Sequence, residues 1–117
     1  MTRVAVLCAD LLFGSKLEGA LGVAGHEVAR FDSVDAAAAS GRVFDVAVID
    51  LTDPQLDGVG AVAAMRERHE LDGVATLGFY SHIEVETRRL AEQAGFDRVV
   101  PRSRMAREAA ALVEALA

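Results

Sequence analysis

Aliphatic runs and helical periods alternate five times along the chain. Arg3 to Cys8 (RVAVLC) is apolar after its first residue, as a strand buried on both faces requires. Phe13, Leu17, Ala20 and Leu21 then recur at helical spacing, and Gly25 supplies a stop. His26 to Phe31 (HEVARF) predicts a second strand. It leads into a short alanine helix with Ser33 as N-cap and Gly41 as its end. Val43 to Asp50 (VFDVAVID) predicts a third strand, followed by a helix through Val62 and Met65. Gly73 to Phe79 (GVATLGF) precedes a 3.6-residue stripe at Ile83, Thr87, Leu90, Ala91 and Ala94, closed by Gly95. Asp97 to Val100 (DRVV) precedes another at Met105, Ala109, Leu112, Val113 and Leu116. The pattern predicts an α/β fold of (βα)5 type, a parallel five-stranded sheet with helices on both faces.

With 117 residues the chain is expected to form a single domain, residues 1–117. Only 5% of it is aromatic, so the core must be built from aliphatic residues and alanine. A formal net charge of -6 argues against direct nucleic-acid binding, which needs clustered Lys and Arg. No apolar run reaches membrane-spanning length, and the first one is broken at Asp10 without a cleavage pattern, so a cytoplasmic protein is expected. Cys8, the only cysteine, reads as a buried thiol without a disulfide role. His26, His69 and His82 are too scattered to suggest a metal site or a phosphorelay module.

The chemistry-bearing position is Asp50. In an open parallel sheet, ligands bind outside the carboxyl ends of the strands. Asp50 ends the third strand, and a carboxylate placed there must be solvated, paired or bound to a cation. An Asp opening a loop as an Asx turn is the plain structural alternative.

The segment DVAVIDLTDPQLDG, with Pro54 four residues after Asp50 and the Asp57–Gly58 pair opening the next helix, resembles the phosphorylation segment of response-regulator receiver domains. AGFDRVVPRS, residues 94–103, resembles the receiver run that precedes a lysine. The resemblance covers essentially the whole chain. It implies a flavodoxin-like three-layer sandwich with strand order 2-1-3-4-5, acting as a stand-alone signalling domain through protein–protein interaction and not as an enzyme. It further implies Asp50 as phosphoacceptor, Ser81 as switch hydroxyl (Tyr80 by an ungapped count) and Arg102 as the phosphate-binding cation. Asp10, Asp50 and the Thr52 carbonyl would be the Mg²⁺ ligands.

Two departures bear on that chemistry. Cys8 and Ala9 occupy the positions of the receiver acidic pair, so a hard cation that prefers oxygen ligands is expected to bind weakly or not at all. Asp10 and Asp53 are candidates for partial compensation, although Asp10 also fits an N-cap of the first helix. Arg102 replaces the lysine, and a planar fork is not equivalent to a compact ammonium. Ser103 stands where a proline usually follows and reads as a helix cap; Ser81 and Glu84 read as a capping box.

A fully phosphorylatable two-component regulator is the alternative reading. A small phosphatase-like enzyme is a weaker one, because Thr52 stands where the second aspartate of that motif would be. No glycine-rich phosphate loop follows the first strand, which argues against a flavin or dinucleotide module.

A histidine kinase or another signalling protein is the implied partner, with a homodimer as a further arrangement. The resemblance places the contact on the fourth helix, fifth strand and fifth helix. At 100° per residue Val85 points about 200° from Ile83, beside Arg88, Arg89 and Glu92. On the fifth helix Arg107, Ala110, Ala111 and Glu114 turn outward by the same count.

Overall fold

The computed structural model describes residues 2–81 and 85–117. Strands β1 (Arg3–Leu7), β2 (Glu27–Phe31), β3 (Val46–Asp50), β4 (Ala75–Tyr80) and β5 (Arg98–Pro101) alternate with five helices. These are α1 (Leu11–Val23), α2 (Val34–Ala39), α3 (Gly58–Glu67), α4 (Val85–Ala94) and α5 (Arg102–Leu116). All strand pairs are parallel and the order is β2-β1-β3-β4-β5, the flavodoxin-like arrangement.

The pleat divides the core in two, because alternate residues of each strand face opposite sides. Val4, Val6, Val46, Val48, Leu77 and Phe79 pack under Leu17 and Leu21 of α1 and Met105, Leu112 and Val113 of α5. Ala5, Leu7, Ala47 and Ile49 face the other way, towards Val62 of α3 and Ala91 of α4. Register then positions the site. Leu7 pairs with Ile49 and Asp50 with Phe79, so the C-terminal ends of β1, β3 and β4 open on one rim.

The opposite rim is closed by a polar knot. Thr76, fully buried, receives the Asp97 N–H on its Oγ1 at 3.1 Å, and Asp97 Oδ2 accepts from the Thr76 N–H at 2.7 Å. Arg66 Nη2 donates to both side chains, at 3.1 and 3.0 Å. Thr76 Oγ1 and Asp97 Oδ2 are thereby satisfied, while the buried Nε of Arg66 is left without a partner among the described residues.

Several element ends differ from the expectation. Cys8 lies beyond the end of β1, His26 precedes β2, and Pro101 belongs to β5. Pro101 is also the N-cap of α5 and offers no side-chain bond, so Ser103 does not cap that helix; it is the helix's second residue. Leu90, expected in the buried stripe of α4, is exposed. The contact face of α4 is narrow, centred on Ala91, and Leu90 sits on its flank. Ala110 packs partly against the core instead of turning outward. Ile83, His82 and the Glu84 half of the capping box lie outside the described residues. Among the described residues no helix is long and apolar enough to cross a membrane.

Candidate functional site

Asp50 is the last residue of β3 and is only 3% exposed. Its carboxylate is held from both sides. Oδ1 accepts from the Thr52 backbone N–H at 2.8 Å and from the Thr52 hydroxyl at 2.5 Å. Oδ2 faces the Cys8 thiol, whose S–H donates across 3.7 Å. The loop turns back immediately after the strand, so one threonine supplies both a backbone and a side-chain donor. The register supplies the third, because Cys8 follows Leu7 as Asp50 follows Ile49.

The loop after Thr52 is built from further local bonds. Asp53 accepts from the Gln55 N–H at 2.9 Å, an Asx turn. Asp57 adopts a left-handed conformation with φ 44° and caps α3 through the Gly60 N–H at 3.3 Å; aspartate tolerates that region better than most residues. Gly58 then lets the helix start against β3, since a Cβ there would meet Ile49 Cγ2 at 2.6 Å.

Asp10 serves two partners. Its Oδ1 caps α1 through the Phe13 N–H at 3.0 Å, and its Oδ2 accepts from Arg102 Nη2 at 2.7 Å. The Phe13 N–H and then the Arg102 guanidinium hold this carboxyl below the usual range for aspartate. Arg102 also lies over the Phe13 ring, 4.0 Å from its centroid. Ser81, Tyr80 and Arg102 line one shallow cleft of about 480 Å³ together with Phe13, Pro101 and Ser103. Ser81 directly follows the last residue of β4, and Tyr80, which ends the strand, lies by parity on the face opposite Phe79.

The structure thus groups the predicted residues in two sets, Asp50 with Thr52, and Asp10 with Arg102, with Cys8 between them. Its thiol also approaches the Asp10 carbonyl at 3.7 Å. Mg²⁺ calls for near-octahedral oxygen coordination. Here the neighbouring groups are one carboxylate bonded by threonine, one bonded by arginine, and a thiol. Among the described residues no group of three or more His, Cys, Asp or Glu side chains stands close enough to hold a metal. Burial, reinforced by the charges of Asp50 and Asp10, pushes the Cys8 thiol up to about 11.

No protein-family model matches the sequence, and no curated protein is similar to it. Solved structures are similar over almost the full chain. The receiver domain of Francisella response regulator 1452 superposes with a TM-score of 0.86 at 18% identity, covering 99% of this chain and 96% of that one. The signal receiver domain of NarL from Mycobacterium tuberculosis gives 0.82 at 26% identity, covering 97% and 94%. An orphan response regulator of H. pylori gives 0.81 at 20%, covering 97% and 94%. The chain has the fold of a response-regulator receiver domain. Against that receiver fold, Val85, Arg89, Arg107 and Ala111 are all exposed. Val85 is 71% exposed, and Arg89 is tied to Glu86 by a 2.5 Å ion pair.

Sequence reasoning missed the thiol–carboxylate contact and the Thr52 hydroxyl. The first follows from aligning the ends of two adjacent parallel strands. The second depends on a loop rotamer and leaves no trace in the sequence.

The thiol makes a direct prediction. At pH 8 the native chain reacts with iodoacetamide roughly 100-fold more slowly than the urea-unfolded chain, because thiolate is the reacting species. The folded thiol ionises only near 11 and an unfolded one near 9, so this group's contribution to stability is intact below pH 9 and is lost as the pH rises towards 11. Native alkylation as fast as unfolded alkylation would contradict the assignment.

Proposed function

We propose that the chain is a receiver-like signalling domain that works by binding another protein, with Asp50 at the phosphoacceptor position and with little or no Mg²⁺-dependent chemistry. One observation carries this reading: Asp50 is bonded by Thr52 and Cys8 where receiver chemistry calls for an acidic pair and a cation. Phosphoryl transfer to a carboxylate relies on positive charge at the developing phosphoryl oxygens. Arg102, the nearest counterpart of the receiver lysine, is committed to Asp10 and Phe13. A protonated thiol supplies no charge in compensation.

The partner is a histidine kinase or another signalling protein, and the chain needs no catalytic activity of its own. The proposed contact surface is the face of α4, β5 and α5. Val85 forms its apolar centre, and the Glu86–Arg89 and Arg88–Glu92 pairs form a mixed-charge rim, a composition typical of protein interfaces. Ala111 on α5 is small and exposed, which permits close approach.

Incubation with acetyl phosphate and Mg²⁺, followed by peptide mapping, tests the chemistry. The expected result is modification of a small fraction of the chain, confined to Asp50 and abolished in Asp50→Asn. Near-stoichiometric labelling of Asp50 would favour a fully phosphorylatable regulator, and labelling that survives Asp50→Asn would refute the position.

The surface is tested separately. Val85→Glu combined with Ala111→Arg leaves the circular dichroism spectrum unchanged and abolishes self-association or capture of a signalling partner. A double variant that sediments and binds like the parent removes α4–β5–α5 as the interface.

A further inference from the structure

The two faces of the sheet are not equally sealed. Under α1 and α5, Val4, Val6, Val46 and Val48 are 0% exposed. On the opposite face of the same two strands, Ala5, Leu7, Ala47 and Ile49 keep 2%, 5%, 8% and 3% of their surface. On this second side a groove of about 340 Å³ opens between α2 and α3, floored by these four residues.

The sequence explains the gap. The α2 helix is a six-residue run, VDAAAA, with no buried residue. Towards the core α2 presents Val34 and Ala37, both only partly buried. Ala61 faces them from α3, and Ala5 and Ala47 lie on the strands. Small residues on several walls leave space that a close-packed interior would fill. Even a 150 Å³ cavity lined by aliphatic and aromatic groups stays dry and admits benzene. About 340 Å³ falls at the lower end of the range for small-molecule sites.

The rim specifies the ligand's charge. Three charged residues border the groove. Arg42 reaches Glu27 at 3.2 Å and Glu70 pairs with Arg68, while Asp72 is exposed to solvent and 3.7 Å from His69, an ion pair only when that imidazole is protonated. A charged ligand would bring its charge to an apolar floor, with Arg42 and Glu70 at the rim already paired and Asp72 solvated.

We propose that the groove between α2 and α3 binds a compact, uncharged hydrophobic small molecule of one or two rings, at a site separate from Asp50. Binding would bridge α2, which has little other packing on the sheet, to α3, whose first turn is set by the loop following Asp50.

Toluene is a suitable probe, with benzoate as the matched charged control. Toluene should cause saturable NMR shifts confined to Ala37, Ala47, Ala61, Val62 and Met65 methyl groups and should raise the melting temperature, and benzoate should bind at least about tenfold more weakly. Ala47→Leu, which extends a side chain into the groove from the sheet, should remove the shifts while the fold persists. If that variant does not fold, Ala61→Leu fills the same space from α3 and should have the same effect. The absence of saturable shifts up to the solubility limit of toluene would overturn the proposal. So would unchanged binding in the filled variant, or equal binding of benzoate.

Discussion

A carboxylate at the end of a buried parallel strand must find hydrogen-bond donors, and the way Asp50 finds them organises this rim of the sheet. Leaving such a group unpaired away from water costs several kcal/mol, of order 2–7 for a polar group and more for a charge. The Thr52 N–H and hydroxyl take one oxygen and the Cys8 thiol faces the other. Everything nearby then has other work. Asp10 caps α1 and holds Arg102, and Asp53 and Asp57 stabilise the loop and the start of α3. Among the described residues these rim carboxylates each accept a hydrogen bond from within the chain.

The fold was largely legible because binary pattern and strand geometry are strong signals. Five aliphatic runs separated by helical stripes leave few arrangements, and Gly95, with φ 99°, ends α4 where the pattern stops. Errors came where pattern gives no direction. Leu90 sits one position from the fully buried Ala91, and one position is 100° around a helix. Ser103 looked like a cap by composition, but α5 begins one residue earlier, directly after Pro101.

The site was legible in position more than in connection. Asp50 lay at the strand end because the run Val46–Ile49 ends there. Arg102 stood at the spacing of a receiver lysine, yet its short bond is to Asp10, since a guanidinium can reach a carboxylate and stack on Phe13 together. Cys8 reads from the sequence as a buried thiol at the position of the receiver acidic pair, and its direct contact with Asp50 emerges only from the β1–β3 register. Pairings between residues distant in sequence depend on topology and rotamers, which a single sequence does not encode locally. The unequal sealing of the sheet was hidden for a related reason: alanine-rich α2 reads as a good helix whether or not it fills its layer.

On the proposed reading, Cys8 and Ala9 stand where two carboxylates would complete an acidic rim, and Asp50 is held by hydrogen bonds instead. The most direct measurement is calorimetric Mg²⁺ titration of the parent beside the variant Cys8→Asp/Ala9→Asp. The parent should bind Mg²⁺ more weakly than millimolar, and restoring the two carboxylates should tighten binding by at least about tenfold. A parent that already binds at submillimolar concentration, or a folded variant that gains nothing, would contradict it.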